Sequence, residues 1–139
     1  MRTPDIISPW SLLQEEFQSD PWKVLIACKM LNQTGYKQVR KIIFDFFKRW
    51  PGPTEAAIAD PNEMVKMLRP LGFYNVRTKQ IMRFSKEYLE KSWSDPKELY
   101  GIGKYAADSY RIFIQRSLDV EPTDKKLIRY VDWARTISC

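Results

Sequence analysis

The chain has 139 residues, of which 44% are hydrophobic, and its 5 Trp, 7 Tyr and 7 Phe supply enough apolar surface for one packed core. Lys and Arg residues outnumber Asp and Glu residues by 23 to 17, and the net charge of +6 favours an anionic partner. Histidine is absent, which excludes Ser-His-Asp and Cys-His catalysis and histidine-ligated zinc. Two cysteines, Cys28 and Cys139, are too few for a cysteine-ligated cluster and are predicted to be free thiols in a reducing compartment.

The first half of the chain shows helical periodicity interrupted by proline and glycine. Ser11 to Phe17 is compatible with a short helix, and Asp20-Pro21 predicts the start of another. The residues from Trp22 to Leu31 are apolar nearly all round, which is typical of a buried central helix. From Val39 to Trp50 apolar residues recur at helical spacing and predict an amphipathic helix.

Shorter helices are predicted in the middle of the chain. Thr54-Glu55 opens a short one, and Asp60-Pro61-Asn62-Glu63 resembles a capping box for the next, which ends at Arg69-Pro70. Asn75 is predicted to cap a longer helix that ends at about Tyr88 to Lys91. Since alternation of the strand type is missing and no apolar run reaches the about 18 residues of a membrane span, the prediction is an all-α fold with no membrane segment.

A Gly-x-Gly turn, Gly101-Ile102-Gly103, joins a short helix begun by Asp95-Pro96 to a helix from Lys104 to about Arg116. This arrangement is a helix–hairpin–helix, in which the glycines allow a sharp turn and a close approach to a ligand. The unpaired N–H groups of the turn and of the following helix suit a phosphate oxygen. A Gly-x-Gly turn alone leaves open an ordinary pair of helices in which the glycines serve only the turn.

A carboxylate, Asp124, stands about twenty residues after this turn, where Pro122-Thr123 breaks the chain before a last helix. Taken alone, Asp124 is typical of a helix N-cap. Combined with the upstream hairpin, it becomes a candidate catalytic group. The two roles are compatible, because a carboxylate at a helix start can also face a cleft.

This pair of features resembles the DNA glycosylase superfamily built on the helix–hairpin–helix. The resemblance extends from about Ser8 to Trp133 and includes Asp20-Pro21-Trp22-Lys23, Leu31-Asn32-Gln33-Thr34 and Pro70-Leu71-Gly72-Phe73-Tyr74. Within the superfamily the chain is most similar to the glycosylase domain of the methyl-CpG-binding domain protein 4 type, a thymine/uracil mismatch glycosylase. No segment resembles the methyl-CpG-binding domain itself, and the four-cysteine loop of endonuclease III is missing.

The resemblance implies a single glycosylase domain over residues 1–139, with two helical lobes around a DNA-binding cleft. The central helical lobe is expected at about 35–115. The N- and C-terminal segments, at about 8–34 and 116–139, are expected to form the second lobe.

The implied function is that of a monofunctional glycosylase of base excision repair, which flips and excises thymine or uracil opposite guanine and leaves an abasic site. The implied partner is mismatched double-stranded DNA, and the protein is expected to be monomeric and nuclear. No cofactor or metal is required, although the hairpin carbonyls of this family can hold a structural monovalent cation. Two alternatives stay open: a bifunctional glycosylase/AP lyase that uses a lysine such as Lys126, and a non-catalytic helix–hairpin–helix DNA-binding module.

Site residues follow from the same resemblance. Asp124 matches the catalytic carboxylate. Tyr105 is the second expected catalytic residue, at the position where lyase-type members carry a nucleophilic lysine and the mismatch-glycosylase branch has tyrosine. The base pocket is expected at Gln14 and Lys126. The duplex gap and the opposite base are expected at Gln33, Leu71 and Phe73. The phosphate contacts are expected at Gly101, Gly103, Lys104, Arg77, Lys79 and Lys125.

Some of these assignments compete with plainer interpretations. Gln14 is also compatible with a surface polar residue, and the Leu71-Phe73-Tyr74 cluster with hydrophobic core. Gln33 stands where vertebrate relatives carry arginine, and Phe73 replaces a leucine. These two departures bear on the filling of the duplex gap and on the preference for the opposite base.

Overall fold

The structure is a computed structural model that describes residues 1–138, so Cys139 lies outside the described residues. Within that range the chain forms α1 (Leu13–Glu16), α2 (Pro21–Leu31), α3 (Tyr36–Arg49), α4 (Pro53–Ala57), α5 (Pro61–Leu68), α6 (Tyr74–Glu90), α7 (Lys104–Phe113) and α8 (Lys125–Ser138), with 3-10 turns at Arg69–Leu71 and Pro96–Glu98. The β pairing described in this part of the chain is one isolated bridge between Arg2 and Ser117. The all-α prediction is confirmed. None of the described helices combines the length and the apolar character needed to cross a membrane.

Helix α2 lies at the centre of the fold, as its sequence predicts. The Asp20 carboxylate accepts a hydrogen bond from the Lys23 N–H at 3.2 Å, and proline fills the first turn. Apolar side chains on all sides of the helix, such as Val24, Leu25 and Ile26, are completely buried. The helix packs against α1, α3, α6 and α7, so that its carboxyl end reaches the hairpin between the 3-10 turn and α7.

The core consists of two hydrophobic clusters. The larger one combines residues of α1 to α6 with Leu99, Ile102, Ala106 and Ala107. The smaller one joins Leu12, the end of α7 and the inner face of α8, including Tyr130 and Val131. The expected boundary near residue 34 does not separate these clusters, because α2 contributes to the larger one and Phe113 to the smaller one.

Several local predictions were wrong. Helix α6 starts at Tyr74 rather than behind Asn75, because the Phe73 carbonyl already accepts from the Arg77 N–H at 2.8 Å. Helix α7 ends at Phe113 because the Ser117 N–H turns back to the Arg111 carbonyl at 3.0 Å. The capping box ahead of α5 is incomplete. Glu63 pairs with Arg49 at 2.9 Å instead of returning to the cap.

Candidate active site

The hairpin requires glycine at its turn. Gly101 has φ = +74°, and a Cβ there would come within 2.7 Å of the Lys29 Nζ. Gly103 precedes α7, whose ladder begins with the Ala107 N–H donating to the Gly103 carbonyl at 3.0 Å. The N–H groups before Ala107 therefore have no partner within the helix, which suits them to an anionic oxygen.

Two charged side chains hold the peptide groups of Tyr100, the residue before the turn. The Lys29 Nζ donates to the Tyr100 carbonyl at 3.2 Å, and the Tyr100 N–H donates to the Glu87 Oε1 at 3.0 Å. Lys29 also lies 4.8 Å above the Phe84 ring, and burial lowers its pKa to about 8. Lys29 carries no sequence signal of this role, since a lysine inside an apolar run gives no sign that its amine reaches a turn 71 residues away.

A cavity of about 290 Å³ opens between α2 and the hairpin. Its walls carry backbone and side-chain atoms of Cys28, Lys29, Asn32, Gln80, Gly101, Gly103, Lys104, Tyr105 and Ala106. Cys28 is buried, and burial raises the pKa of its thiol to about 12. The thiol therefore stays protonated near neutral pH.

A second cavity, of about 470 Å³, contains Asp124 and will be called the Asp124 cavity. It is formed by the end of α2, the start of α3, Tyr105 and the start of α8, through Leu31, Asn32, Gln33, Thr34, Gly35, Tyr36, Tyr105, Asp124, Lys125 and Lys126. Tyr105 also lines the hairpin cavity, so the two cavities meet at this residue.

Asp124 is both the N-cap of α8 and a residue of the cavity wall. Its Oδ2 accepts hydrogen bonds from the N–H groups of Lys126 and Leu127, each at 3.0 Å, as an N-cap does. Its Oδ1 has no donor among residues 1–138. One carboxylate oxygen therefore fixes the start of α8, while the other has no such donor on a residue that lines the cavity.

Gln14 acts on the cavity through Tyr105. Its Nε2 donates to the Tyr105 Oη at 2.8 Å, and the side chain is buried rather than part of the cavity wall. Burial raises the pKa of Tyr105 well above its ordinary value, with smaller contributions from Cys28 and Asp124. The phenol is therefore protonated, and its own proton remains available because Gln14 is the donor in their bond. In the structure Gln14 meets the cavity through the Tyr105 hydroxyl, and its expected contact with the base stays a prediction.

Gln33 and Phe73 line a third cavity, of about 160 Å³. Both have left-handed backbones, with φ of +60° and +49°, and the Phe73 side chain is 64% exposed. Leu71 differs from them, because it is buried in the larger hydrophobic cluster and lines none of these cavities. The Leu71 side chain is therefore part of the core, and its expected place near the opposite base stays a prediction.

Arg77 is a structural residue, contrary to its predicted role as a phosphate ligand. The side chain is buried, and its guanidinium donates to the carbonyls of Gly72, Lys29, Met30 and Asn32 at 2.7 to 3.0 Å and to the Thr34 hydroxyl. Apart from Gly72, these acceptors lie at and just after the end of α2, where carbonyls lack helical partners. Arg77 therefore caps α2.

The other predicted phosphate ligands occupy different settings. Lys125 and Lys126 are exposed at the Asp124 cavity, and Lys79 is exposed on α6 away from the three cavities. The Lys104 Nζ is held by Asp108 at 2.9 Å and by the Glu121 carbonyl at 3.0 Å. No group of three or more Cys, Asp or Glu side chains within residues 1–138 could hold a metal ion.

Comparison with known proteins agrees with this geometry. The family model for the HhH-GPD superfamily base excision DNA repair protein matches residues 26–137, and the chain belongs to this superfamily. It is 43% identical over 129 residues to the methyl-CpG-binding domain protein 4-like protein of Arabidopsis thaliana, covering 92% of this chain and 29% of the relative. It is 32% identical over 121 residues to the thymine/uracil-DNA glycosylase of Pyrobaculum aerophilum, covering 81% and 52%.

A solved structure shares the fold. The structure of a thermostable thymine-DNA glycosylase aligns with a TM-score of 0.65 and 21% identity, over 69% of this chain and 48% of that one. The chain thus spans about half or less of the length of the proteins that it matches. The predicted family and the predicted glycosylase fold are confirmed.

Proposed function

We propose that the chain is a monofunctional DNA glycosylase that excises thymine or uracil paired with guanine and leaves an abasic site. One observation carries the proposal: the Asp124 carboxylate, with one oxygen free of protein donors, shares a cavity with Tyr105 directly beside the hairpin. The names of the Pyrobaculum and Arabidopsis relatives support the same class of activity. A monomer acting on nuclear DNA is part of the proposal.

DNA binding is assigned to the hairpin and the neighbouring lysines. A base inside a duplex is out of reach of a carboxylate, so the nucleotide must leave the stack, at a cost of a few kcal/mol that is lowest for a mispair. The free N–H groups at the start of α7 hold a phosphate, and Lys125 adds positive charge beside the Asp124 cavity. Gln33 and Phe73 border the vacancy that the flipped nucleotide leaves.

The chemistry is hydrolysis of the N-glycosidic bond. As the bond to the base breaks, its electron pair leaves with the base and positive charge develops on the sugar. The Asp124 carboxylate stabilises this charge and orients water, whose oxygen forms the new bond to C1′ while its proton is released to solvent. The base departs as an anion that the Tyr105 hydroxyl can stabilise by a hydrogen bond, and it takes a proton from solvent.

Strand cleavage would require an amine at C1′ that forms an imine. Tyr105 cannot supply one. Lys29 has a depressed pKa, but it lines the other two cavities rather than the Asp124 cavity. Lys126 lines the Asp124 cavity and is therefore the residue on which a bifunctional alternative rests.

A monovalent cation on the hairpin would have to avoid the Tyr100 carbonyl, which already accepts from the Lys29 ammonium. The residues do not fit a second cation at that oxygen, and no step is assigned to such an ion. The non-catalytic binding module is disfavoured by Asp124, because a carboxylate with a free oxygen repels phosphate.

The test is a cleavage panel on duplexes that carry G·T, G·U or A·U pairs, with and without alkali, and with borohydride in a parallel reaction. We expect base release from G·T and G·U, strand scission only after alkali, and no covalent adduct. An adduct that disappears in Lys126→Ala would instead establish the lyase alternative. Binding without base release would establish the DNA-binding module.

A further inference from the structure

Tyr36 is an aromatic wall of the Asp124 cavity that sequence reasoning did not single out. It is the first residue of α3, immediately after Gly35, and its half-buried side chain lines the cavity together with Tyr105 and Asp124. Nothing in the periodicity of α3 separates Tyr36 from an ordinary helix-start residue.

Two basic residues hold the Tyr36 ring. The Arg40 Nη1 donates to the Tyr36 Oη at 3.2 Å, and Arg40 is itself fixed by Glu16 at 2.6 Å. The Lys126 Nζ lies 5.8 Å from the ring centroid, within the range of a cation–π contact. The ring is therefore tied to α1, through Arg40 and Glu16, and to the start of α8.

The contents of the cavity define what it can bind. Asp124 supplies a negative charge, Lys125 and Lys126 supply positive charges, and the rings of Tyr36 and Tyr105 supply flat apolar surface. A planar heterocycle attached to a phosphodiester chain matches this combination, because aromatic side chains stack on nucleobases while lysines contact the phosphates.

We propose that Tyr36 is a base-contacting residue whose ring stacks on the flipped pyrimidine and retains it beside Asp124. The proposal rests on the glycosylase function proposed above and adds a specificity-determining contact to it. Because stacking depends on the ring, the contact should survive loss of the hydroxyl and fail on loss of the aromatic face.

The experiment measures DNA binding by the full chain carrying Asp124→Asn, so that the substrate is not consumed. Two duplexes are compared: one with a G·U pair, and one with a tetrahydrofuran abasic analogue opposite G. We expect Tyr36→Leu to weaken binding to the G·U duplex about tenfold or more and to leave binding to the abasic duplex unchanged. Tyr36→Phe should retain the affinity for both.

Phe44→Leu is the matched control. Phe44 lies on the same helix and also packs under Arg40, at 5.3 Å, but it lines none of the three cavities, so both affinities should stay unchanged. Equal losses on both duplexes in Tyr36→Leu, or no loss on either, would overturn the proposal. Failure of the glycosylase function is recognised separately, as the absence of base release by the chain that retains Asp124.

Discussion

The carboxyl end of α2 and the amino end of α8 both border the Asp124 cavity, but they are completed in opposite ways. At the end of α2, Arg77 from α6 donates to the carbonyls of Lys29 and Met30, 48 and 47 residues away. At the start of α8, Asp124 accepts from N–H groups two and three residues further on. The end of α2 is thus completed by a cation that is distant in sequence, Arg77, whereas the start of α8 is completed by the adjacent anion, Asp124.

This difference distinguishes a residue that supports the fold, Arg77, from one that is available for catalysis, Asp124. Arg77 is buried and donates to carbonyls and to the Thr34 hydroxyl, so its role is to hold the end of α2 in place. Asp124 uses one oxygen for the cap and keeps the other for the cavity. Disruption of the first end should therefore lower stability, whereas disruption of the second should lower catalysis.

The largest effect is expected from Asp124→Asn. Asparagine caps a helix about as well as aspartate, so folding should be retained, whereas the charge that stabilises the sugar cation is lost. Single-turnover excision from a G·U duplex should fall by at least ~10³-fold, with duplex binding preserved. The control is Asp20→Asn, at the cap of α2 outside the cavities, which should leave excision unchanged. If Asp124→Asn instead lost excision together with a large drop in thermal stability, the role of Asp124 as a helix cap would account for the loss of activity.

Arg77→Ala should have the next largest effect. It leaves several carbonyls at the end of α2 without donors, and the free energy of unfolding should drop by about 2–4 kcal/mol in urea denaturation. Arg77→Lys should recover only part of this loss, because one ammonium cannot replace the forked guanidinium. Lys79→Ala, at an exposed position of the same helix, should change stability by less than about 0.5 kcal/mol. A neutral Arg77→Ala would contradict the capping role.

Lys29, in the last turn of α2, should cost stability at neutral pH. Its pKa falls from 10.5 to about 8 on folding, so the folded chain binds fewer protons than the unfolded chain between these values. The loss of folding free energy caused by the buried ammonium is therefore full below about pH 8, and it disappears as the pH rises to 10.5. Lys29→Met should therefore be more stable than the wild type by on the order of 1 kcal/mol at pH 7. The advantage should vanish near pH 10.5, and a difference that does not change with pH would contradict this account.

The smallest effect concerns Gln33, which follows α2 in a left-handed conformation that usually carries glycine. Gln33→Gly should stabilise the fold by about 0.5 kcal/mol while weakening binding to a mismatched duplex, because the side chain at the gap is lost. Gln38→Gly, at an exposed position inside α3, should destabilise by about 1 kcal/mol. Unfolding curves of the two variants thus separate backbone strain from helix propensity.

Local signals predicted much of this architecture. Asp20-Pro21 marked the start of α2, the apolar spacing marked α3, and Asp124 marked the start of α8, because each signal and its effect lie within a few residues. The Gly-x-Gly turn predicted the hairpin, and the family resemblance singled out Tyr105 and Asp124, which line the same cavity. Gln33 and Phe73 line one cavity, and their roles at the duplex gap and the opposite base stay predictions.

Long-range contacts account for what the sequence could not predict. Arg77 resembles any basic residue of an exposed helix until α2 is packed against it, and Gln14 resembles a surface residue until Tyr105 lies 2.8 Å away. Leu71 and Phe73 are two residues apart and both apolar, yet one is buried and the other exposed. The backbone reversal at Gly72, with φ = +75°, separates them, and no periodicity encodes it.

The aromatic packing described for the core also has a spectroscopic consequence. Trp22, Trp50 and Trp93 belong to or pack on the larger cluster, whereas Trp10 and Trp133 pack on the smaller one and meet edge to face at 6.2 Å. Each hydrophobic cluster thus contains its own fluorophores. Replacing one set with phenylalanine would let intrinsic emission follow the other cluster alone. Superimposable denaturation curves from the two sets would show that a single cooperative transition unites both parts of the core.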